Sequence, residues 1–550
     1  MLDTLTRGWS RRELFRRSVL LTLPAVFPAR LKGSRSFEPE AAAASPGEKA
    51  REPFRRAEAG ALSTADVYRS IGVRPLINAR GTFTIISGSL MLPEVRAAID
   101  AAAQHHVHLD ELMAAVGARL AELTKAEWGM VSSGCSAALT HATAACVAGG
   151  NPDLHVRMPN LAGFPKDEVI IPRHSRNVYD AAVRAVGVRV VEVGTPEELE
   201  AAFGPRTAMV YILAGPEADK PPLDTRSIAK LANQKHVPVL VDAAAEILTI
   251  PNVHLDNGAT LVAYSGGKCI RGPQSAGLLL GRKDLVRAAW VHSAPHHGFS
   301  RAMKVGKEEA IGMLMAVEMW AKRDHKAEWS RWMGWLDSIA KTVSRVEGVT
   351  TSIAETNALS NRTPTLTIRW DRKRIGISGA DLARHLLDTE PRVATPGGRD
   401  RGDEASISIT PYQMADGEEK IVADRIHAAL SNAPRQTAPT RTAAPAADIS
   451  GQWDVRIEYL ASASTHTLHL KQAGNRLEGA HQGDFVSRDL SGTIEGSALQ
   501  ISSSYTERHG DALSFRFTGT VEGDAMSGTL DMGEYLTANW TARRHDYRRG

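Results

Sequence analysis

Short β-branched runs at residues 169–171, 188–193, 208–213, 238–241 and 261–264 are separated by helical patterns such as 178–186 and 227–234. Strands of that length spaced by helices build βαβ units and a mostly parallel, doubly wound α/β sheet. Helical patterns at 94–106, 109–123 and 136–147 and a short strand at 128–131 belong to the same large domain, placed at residues 64–322. A helix over 308–321 leads into a smaller α+β domain, 323–432, read from strands at 365–370 and 406–410 and helices at 379–387 and 418–430. The Pro/Ala/Thr-rich stretch 433–447 has no period and reads as a linker. Residues 448–550 then alternate apolar and polar positions in eight runs between Gly-containing turns, which predicts an all-β sandwich or barrel. No catalytic constellation is visible there, so its expected role is accessory: packing, oligomer contact or ligand capture.

At 550 residues, 43% hydrophobic and 23% charged, the chain has the composition of a soluble globular protein of several domains. A net charge of only +4, with no basic stripe interleaved with aromatics, argues against a nucleic-acid partner. The three cysteines, Cys135, Cys146 and Cys269, build neither a disulfide framework nor a zinc spacing, and His105, His106 and His108 share no helix face, so no metal is expected. Near the start, Arg11, Arg12, Arg16 and Arg17 precede a short apolar run at 18–29. Such a run is too short to span a bilayer and fits an export signal, and the adjacent pair Arg11-Arg12 resembles the twin-arginine type. The expectation is a signal at 1–30, a linker at 31–63, and an exported, periplasmic protein without a transmembrane anchor after processing. A disordered basic tail is the alternative.

Three segments carry chemistry. Ser132-Ser133-Gly134-Cys135-Ser136 lies between a strand and a helix, where backbone N–H groups and hydroxyls close around a phosphate at the positive helix end. Gly/Ser turns also precede helices that bind nothing. In Val239-Leu240-Val241-Asp242-Ala243 a carboxylate ends a buried apolar strand and needs a partner there. A protonated pyridine nitrogen is one such partner; a capping aspartate is the structural alternative. In Tyr264-Ser265-Gly266-Gly267-Lys268-Cys269-Ile270-Arg271, glycines beside Lys268 let its amine reach a cofactor aldehyde and form a Schiff base. Ser265 is placed to donate to the cofactor phosphate, and Arg271 to hold a phosphate or a substrate carboxylate bidentately. In this order the segments read as a site for pyridoxal 5′-phosphate.

The stretch YSGGKCIRGPQSAGLLLGRKDL, with GVRPLINARGTFTIISGSLMLPEV ahead of it and RAMKVGKEEAIGMLMAVE after it, resembles the selenocysteine synthase-like pyridoxal phosphate enzymes of fold type I. Within that group it is most similar to the D-glucosaminate-6-phosphate ammonia lyase-like proteins, over about residues 67–430. The resemblance implies an aminotransferase-like large domain and a homodimer or higher homo-oligomer. It implies Lys268 as the Schiff-base lysine, Asp242 as the pyridinium partner, and Ser133, Gly134 and Cys135 as the phosphate loop. Arg301, Lys304 and Lys307 match a basic segment at the site entrance, contributed within the chain or across a dimer. Where such enzymes place a histidine over the ring, this chain has Ser175, so His174 is the candidate to stand in through a local shift.

The expected reaction is α,β-elimination with ammonia release from a small amino substrate, an amino acid or amino-sugar acid, with Lys268 as base at the α-carbon. Transamination shares every residue through the carbanion step and is the near alternative. An exported ligand- or envelope-binding protein with an inactive fold is the alternative of another class. Selenium transfer on tRNA is not expected, because no RNA-binding domain is evident and export separates the chain from tRNA.

Overall fold

The computed structural model describes residues 66–433, 443–506 and 512–547. The expected signal (1–30) and the linker after it (31–63) lie outside the described residues. Met1–Arg74 is a unit of its own, described only in the short helix Asp66–Arg69 and the turn after it. Pro75–Gly550 is the second unit.

After β1 (Ile77–Asn78) come β2 (Trp128–Ser132), β3 (Glu168–Pro172), β4 (Arg189–Val193), β5 (Thr207–Leu213), β6 (Val239–Asp242), β7 (Leu261–Ser265) and β8 (Gly277–Gly281). The last seven form one sheet in the order β2-β8-β7-β6-β5-β3-β4, in which β8 alone runs against the others. Strands β3, β6 and β8 are buried at every position, as in a parallel sheet covered on both faces. The helix Cys135–Ala148 is buried at every position except Ser136. Its Ala, Thr and Cys side chains are small enough for a helix that is apolar all round to sit inside the core.

Two elements differ from expectation. Strand β8 was not read from the sequence: its leucines favour helices, and a glycine stands at each end. The helix expected at 178–186 is a 3-10 turn, Val178–Asp180, followed by the short helix Ala181–Arg184. The Asn177 side chain accepts from the Tyr179 N–H at 2.8 Å, which tightens the first turn.

The smaller domain carries β9 (Val349–Ala354), β10 (Thr365–Asp371), β11 (Val393–Ala394), β12 (Arg399–Arg401) and β13 (Glu404–Ile409). Four of these make an antiparallel sheet, β12-β13-β10-β9, whose core includes residues of the helices His325–Val343, Gly379–Asp388 and Glu418–Ser431. Strand β11 pairs in parallel with β1, Ile77 opposite Val393. Ile77 and Ala79 sit in the apolar cluster of this domain with Ile368, Ile407 and Val422. Residues inside the expected large-domain range therefore complete the smaller domain, and Tyr412 Oη accepts from the Thr82 N–H at 3.1 Å.

The C-terminal part is β14 (Gly451–Glu458), β15 (Ala463–Ala473), β16 (Arg476–Gln482), β17 (Ser487–Glu495), β18 (Ala498–Thr506), β19 (Ala512–Glu522), β20 (Ala525–Asp531) and β21 (Thr537–Arg544). Each strand pairs with the next, and β21 returns to β14, so the eight expected strands close as an antiparallel barrel rather than a sandwich. Trp453, Phe517 and Trp540 fill its interior. Among the described residues no helix is long and apolar enough to cross a membrane.

Candidate active site

The candidate residues gather where β2, β6 and β7 end. Asp242, the last residue of β6, is 2% exposed. Tyr211 Oη donates to its Oδ2 at 2.9 Å, and the Ala244 N–H and the Cys135 thiol approach its Oδ1 at 3.1 and 3.6 Å. Burial raises the Asp242 pKa, while the hydrogen bonds from Ala244 and Tyr211 and the charge of Lys268 act against the rise. Tyr211 is fixed in turn by Asn177, whose Nδ2 donates to its hydroxyl at 3.0 Å. Burial and then the Asp242 charge push the Tyr211 phenol well up, so it remains a donor.

Lys268 follows β7 in a tight loop. The Gly266 N–H donates to Ala276 O, and the Gly272 N–H to Gly266 O, each at 2.8 Å, while the Arg271 N–H donates to Lys268 O at 3.0 Å. The loop is half-buried at Lys268, and the lysine charge reaches both Asp242 and Cys135. Ser265 ends β7 opposite Gly277 of β8.

Ser133, Gly134 and Cys135 form the turn into the buried helix. Gly134 has φ 90°, and no side chain caps the first N–H groups of the helix, which leaves them for an anion. Strand β8 passes directly against this turn: a Cβ on Gly277 would stand 2.3 Å from the Gly134 carbonyl. The Ser133 hydroxyl donates to Met303 O at 2.9 Å, which ties the turn to the basic segment holding Arg301 and Lys304, both exposed. Lys307 points elsewhere, donating to Ala102 O at 3.0 Å and pairing with Glu308. A turn fitted for phosphate, a buried carboxylate and a lysine at three strand ends suit the three parts of pyridoxal phosphate.

The remaining candidates are placed as follows. His174 has its Nε2 3.1 Å from Leu223 O and its Nδ1 3.1 Å from Ser175 Oγ, so both ring nitrogens are engaged. Arg271 adopts φ 60° and donates from Nε to Leu90 O at 2.9 Å. With Cys269 it reaches a cleft of about 880 Å³ that also takes in Arg323, Arg331, Arg362 and Trp329. Burial and then the charge of Arg323 lower the Arg271 pKa, and among the charges facing it Glu328 opposes Arg323, Arg331 and Arg96. Among the described residues no group of three His, Cys, Asp or Glu side chains is arranged to hold a metal ion.

Sequence reasoning missed Tyr211 and Asn177. A tyrosine inside the apolar strand Thr207–Leu213 was the one available sign.

The family model for aminotransferase class-V matches residues 173–298. D-Glucosaminate-6-phosphate ammonia lyase of Salmonella typhimurium is 28% identical over 372 residues, 66% of this chain and 97% of that protein. 5′-C-glycyluridine monooxygenase-decarboxylase of a Streptomyces species is 30% identical over 371 residues, 64% of this chain and 90% of that protein. A solved structure of D-glucosaminate-6-phosphate ammonia-lyase superposes with a TM-score of 0.60 at 28% identity, covering 68% of this chain and all of that one.

Proposed function

The chain belongs to the aminotransferase class-V family of pyridoxal 5′-phosphate enzymes, and on that ground we propose that it is a lyase eliminating ammonia from an amino acid or amino-sugar acid. The observation that carries this reading is the buried Asp242, held by Tyr211, Ala244 and Cys135 within reach of the Lys268 charge.

Bound pyridoxal phosphate supplies an electron sink for charge developing at the α-carbon of an amine substrate. Asp242 is the carboxylate that would hold a proton on the pyridine nitrogen, which keeps the sink effective. Tyr211 and Cys135 keep that carboxylate ionised and aimed. Lys268 would hold the cofactor aldehyde, and its Nζ would be the base that takes a proton from the substrate's α-carbon. The turn Ser133-Gly134-Cys135, with Ser265 beside it, receives the phosphate at the open helix end.

The arginine cluster supports an acidic substrate. Arg271, Arg323, Lys326, Arg331 and Arg362 line this cleft with three carboxylates, Glu328, Glu355 and Asp416, an excess of positive charge that favours a carboxylate or phosphate from the substrate. Arg301 and Lys304 flank Met303, whose carbonyl accepts from Ser133, and add a further basic pair near the phosphate turn. Transamination would use the same residues, and the similarity to an ammonia lyase favours elimination.

The test is the visible spectrum of the purified protein before and after borohydride, beside Lys268→Ala. The expected result is an absorption band fixed by borohydride and missing in the variant; a colourless protein that takes up no added cofactor would overturn the reading. Ammonia release without a 2-oxo acid acceptor separates elimination from transamination. We also propose export to the periplasm through residues 1–30 and assembly as a homodimer. Cell fractionation with and without Arg11→Lys plus Arg12→Lys, and light scattering, check these two.

A further inference from the structure

Four tryptophans line the cleft beside the Lys268 loop, and they fall into two kinds. Trp320 is 7% exposed, belongs to the core of the large sheet and donates from Nε1 to Leu248 O at 2.7 Å. Trp335 packs against the apolar cluster of the smaller domain. Trp329 and Trp332 belong to neither cluster and are only half-buried. Core packing is the usual use of so large an apolar side chain. Two indoles that line a cleft outside any core fit the wall of a ligand site.

Their placement is ordered. Trp329, Trp332 and Trp335 recur every three residues along the helix His325–Val343, which makes them neighbours on one side of it. Trp335 docks the helix on the smaller domain, and the other two reach the cleft. The Trp329 and Trp332 ring centres are 6.1 Å apart, and Trp332 meets Tyr412 edge-on at 6.2 Å. Tyr412 is fixed from a distant part of the chain, its Oη accepting from the Thr82 N–H at 3.1 Å. Trp329 donates from Nε1 to Glu355 Oε2 at 2.9 Å, and the Arg362 guanidinium stands 5.9 Å from its ring centre. Three rings, two of them tied by hydrogen bonds, thus make one aromatic wall.

The same cleft takes in Cys269 and Arg271, just past Lys268 in the chain. Its volume of about 880 Å³ is near the upper end of small-molecule sites, more than an amino acid of a few carbons fills. One ligand can therefore keep its amine at the Lys268 loop and its other end at the aromatic wall.

We propose that Trp329, Trp332 and Tyr412 determine specificity, and that the substrate is an amino compound with a planar aromatic or heteroaromatic ring at the end away from its amine. This rests on the reading of the chain as an enzyme for an amino substrate. A flat ring gains from offset or edge-to-face contact with indole and phenol rings, beyond what a saturated group of equal size gains by burial.

The test uses the full-length protein loaded with pyridoxal phosphate and, as probes, both enantiomers of phenylalanine, tryptophan, cyclohexylalanine and alanine. Dissociation constants are read by calorimetry and from the shift of the cofactor's visible band. Phenylalanine or tryptophan should bind at least about tenfold tighter than alanine, and about threefold tighter than cyclohexylalanine. Trp332→Leu should remove that advantage, with alanine binding changed by less than about twofold and the melting curve in place. Trp332→Phe, which restores a ring, should return most of it. Trp335→Leu should instead lower the melting temperature, because its indole packs against a core. Absence of a ring preference, an equal advantage for cyclohexylalanine, or equal losses for phenylalanine and alanine in Trp332→Leu overturns the proposal. If Trp332→Leu does not fold, Trp329→Leu, read in the same way, decides. A protein with no band fixed by borohydride fails the enzyme reading instead, and the ring preference is then read by calorimetry alone.

Discussion

Cys135 Sγ lies 3.6 Å from Asp242 Oδ1, joining the first residue of the phosphate-turn helix to the carboxylate that ends β6. The contact makes one unit of the two ends of the cofactor site. The thiol acts here as a donor: burial, and then the charge of Asp242, push its pKa well above the ordinary value.

The buried thiols should therefore be inert in the folded protein. Cys146 is pushed up by burial to about 12, and Cys135 is also raised. Iodoacetamide at pH 8 should leave both unmodified by mass spectrometry, and urea should expose both. Labelling of Cys135 in the native protein at the rate of a free thiol would contradict this placement.

Replacing Asp242 by Asn keeps the shape but removes the charge. Activity should fall by about 10²–10³, the scale of losing one electrostatic contact in a water-excluded site. The cofactor should still be fixed to Lys268 by borohydride. Steady-state kinetics together with the reduced spectrum check both halves.

Gly277→Ala should loosen the phosphate turn. The added Cβ would lie 2.3 Å from the Gly134 carbonyl, with backbone on both sides and no flexible side chain to yield. A cost of roughly 1–3 kcal/mol is expected from such overpacking, read by urea denaturation, together with weaker cofactor retention on dialysis.

Stability should fall in mild acid. Burial lowers His141 and His292 from an ordinary 6.5 to about 4. Between those values the unfolded chain binds the extra protons, so stability is full above pH 6.5 and is lost as pH falls toward 4. The slope is about 1.4 kcal/mol per pH unit for each histidine. Urea midpoints across that window should flatten in His141→Leu; an unchanged slope would exclude His141 as a source.

The strand-and-helix alternation made the parallel sheet legible, because fully buried strands leave uninterrupted apolar runs such as Val239-Leu240-Val241. Lys268 and Asp242 were legible for a related reason: a charged group at the end of such a run has few uses other than chemistry. Strand β8 was not, since Leu278-Leu279-Leu280 has no strand signature of its own and is recruited by its neighbours on either side. Nor were Tyr211 and Asn177. Their roles come from a hydrogen bond between residues 34 positions apart, which no local pattern announces. The bond from Ser133 to Met303 spans 170 positions and was equally hidden.

The pairing of β1 with β11, and of Thr82 with Tyr412 across 330 positions, bears on the order in which the molecule can be made. A chain leaving the ribosome from its N-terminus presents Ile77 and Ala79 long before Val393 and Thr410 exist. The seven-stranded sheet has all its strands once Gly281 has emerged and can form without waiting. The smaller domain cannot, since its first strand is among the earliest segments synthesised and its last contacts are among the latest. Synthesis stopped before residue 393 would leave a finished sheet with an orphaned leading strand, a species for chaperones to hold rather than an enzyme with a part missing.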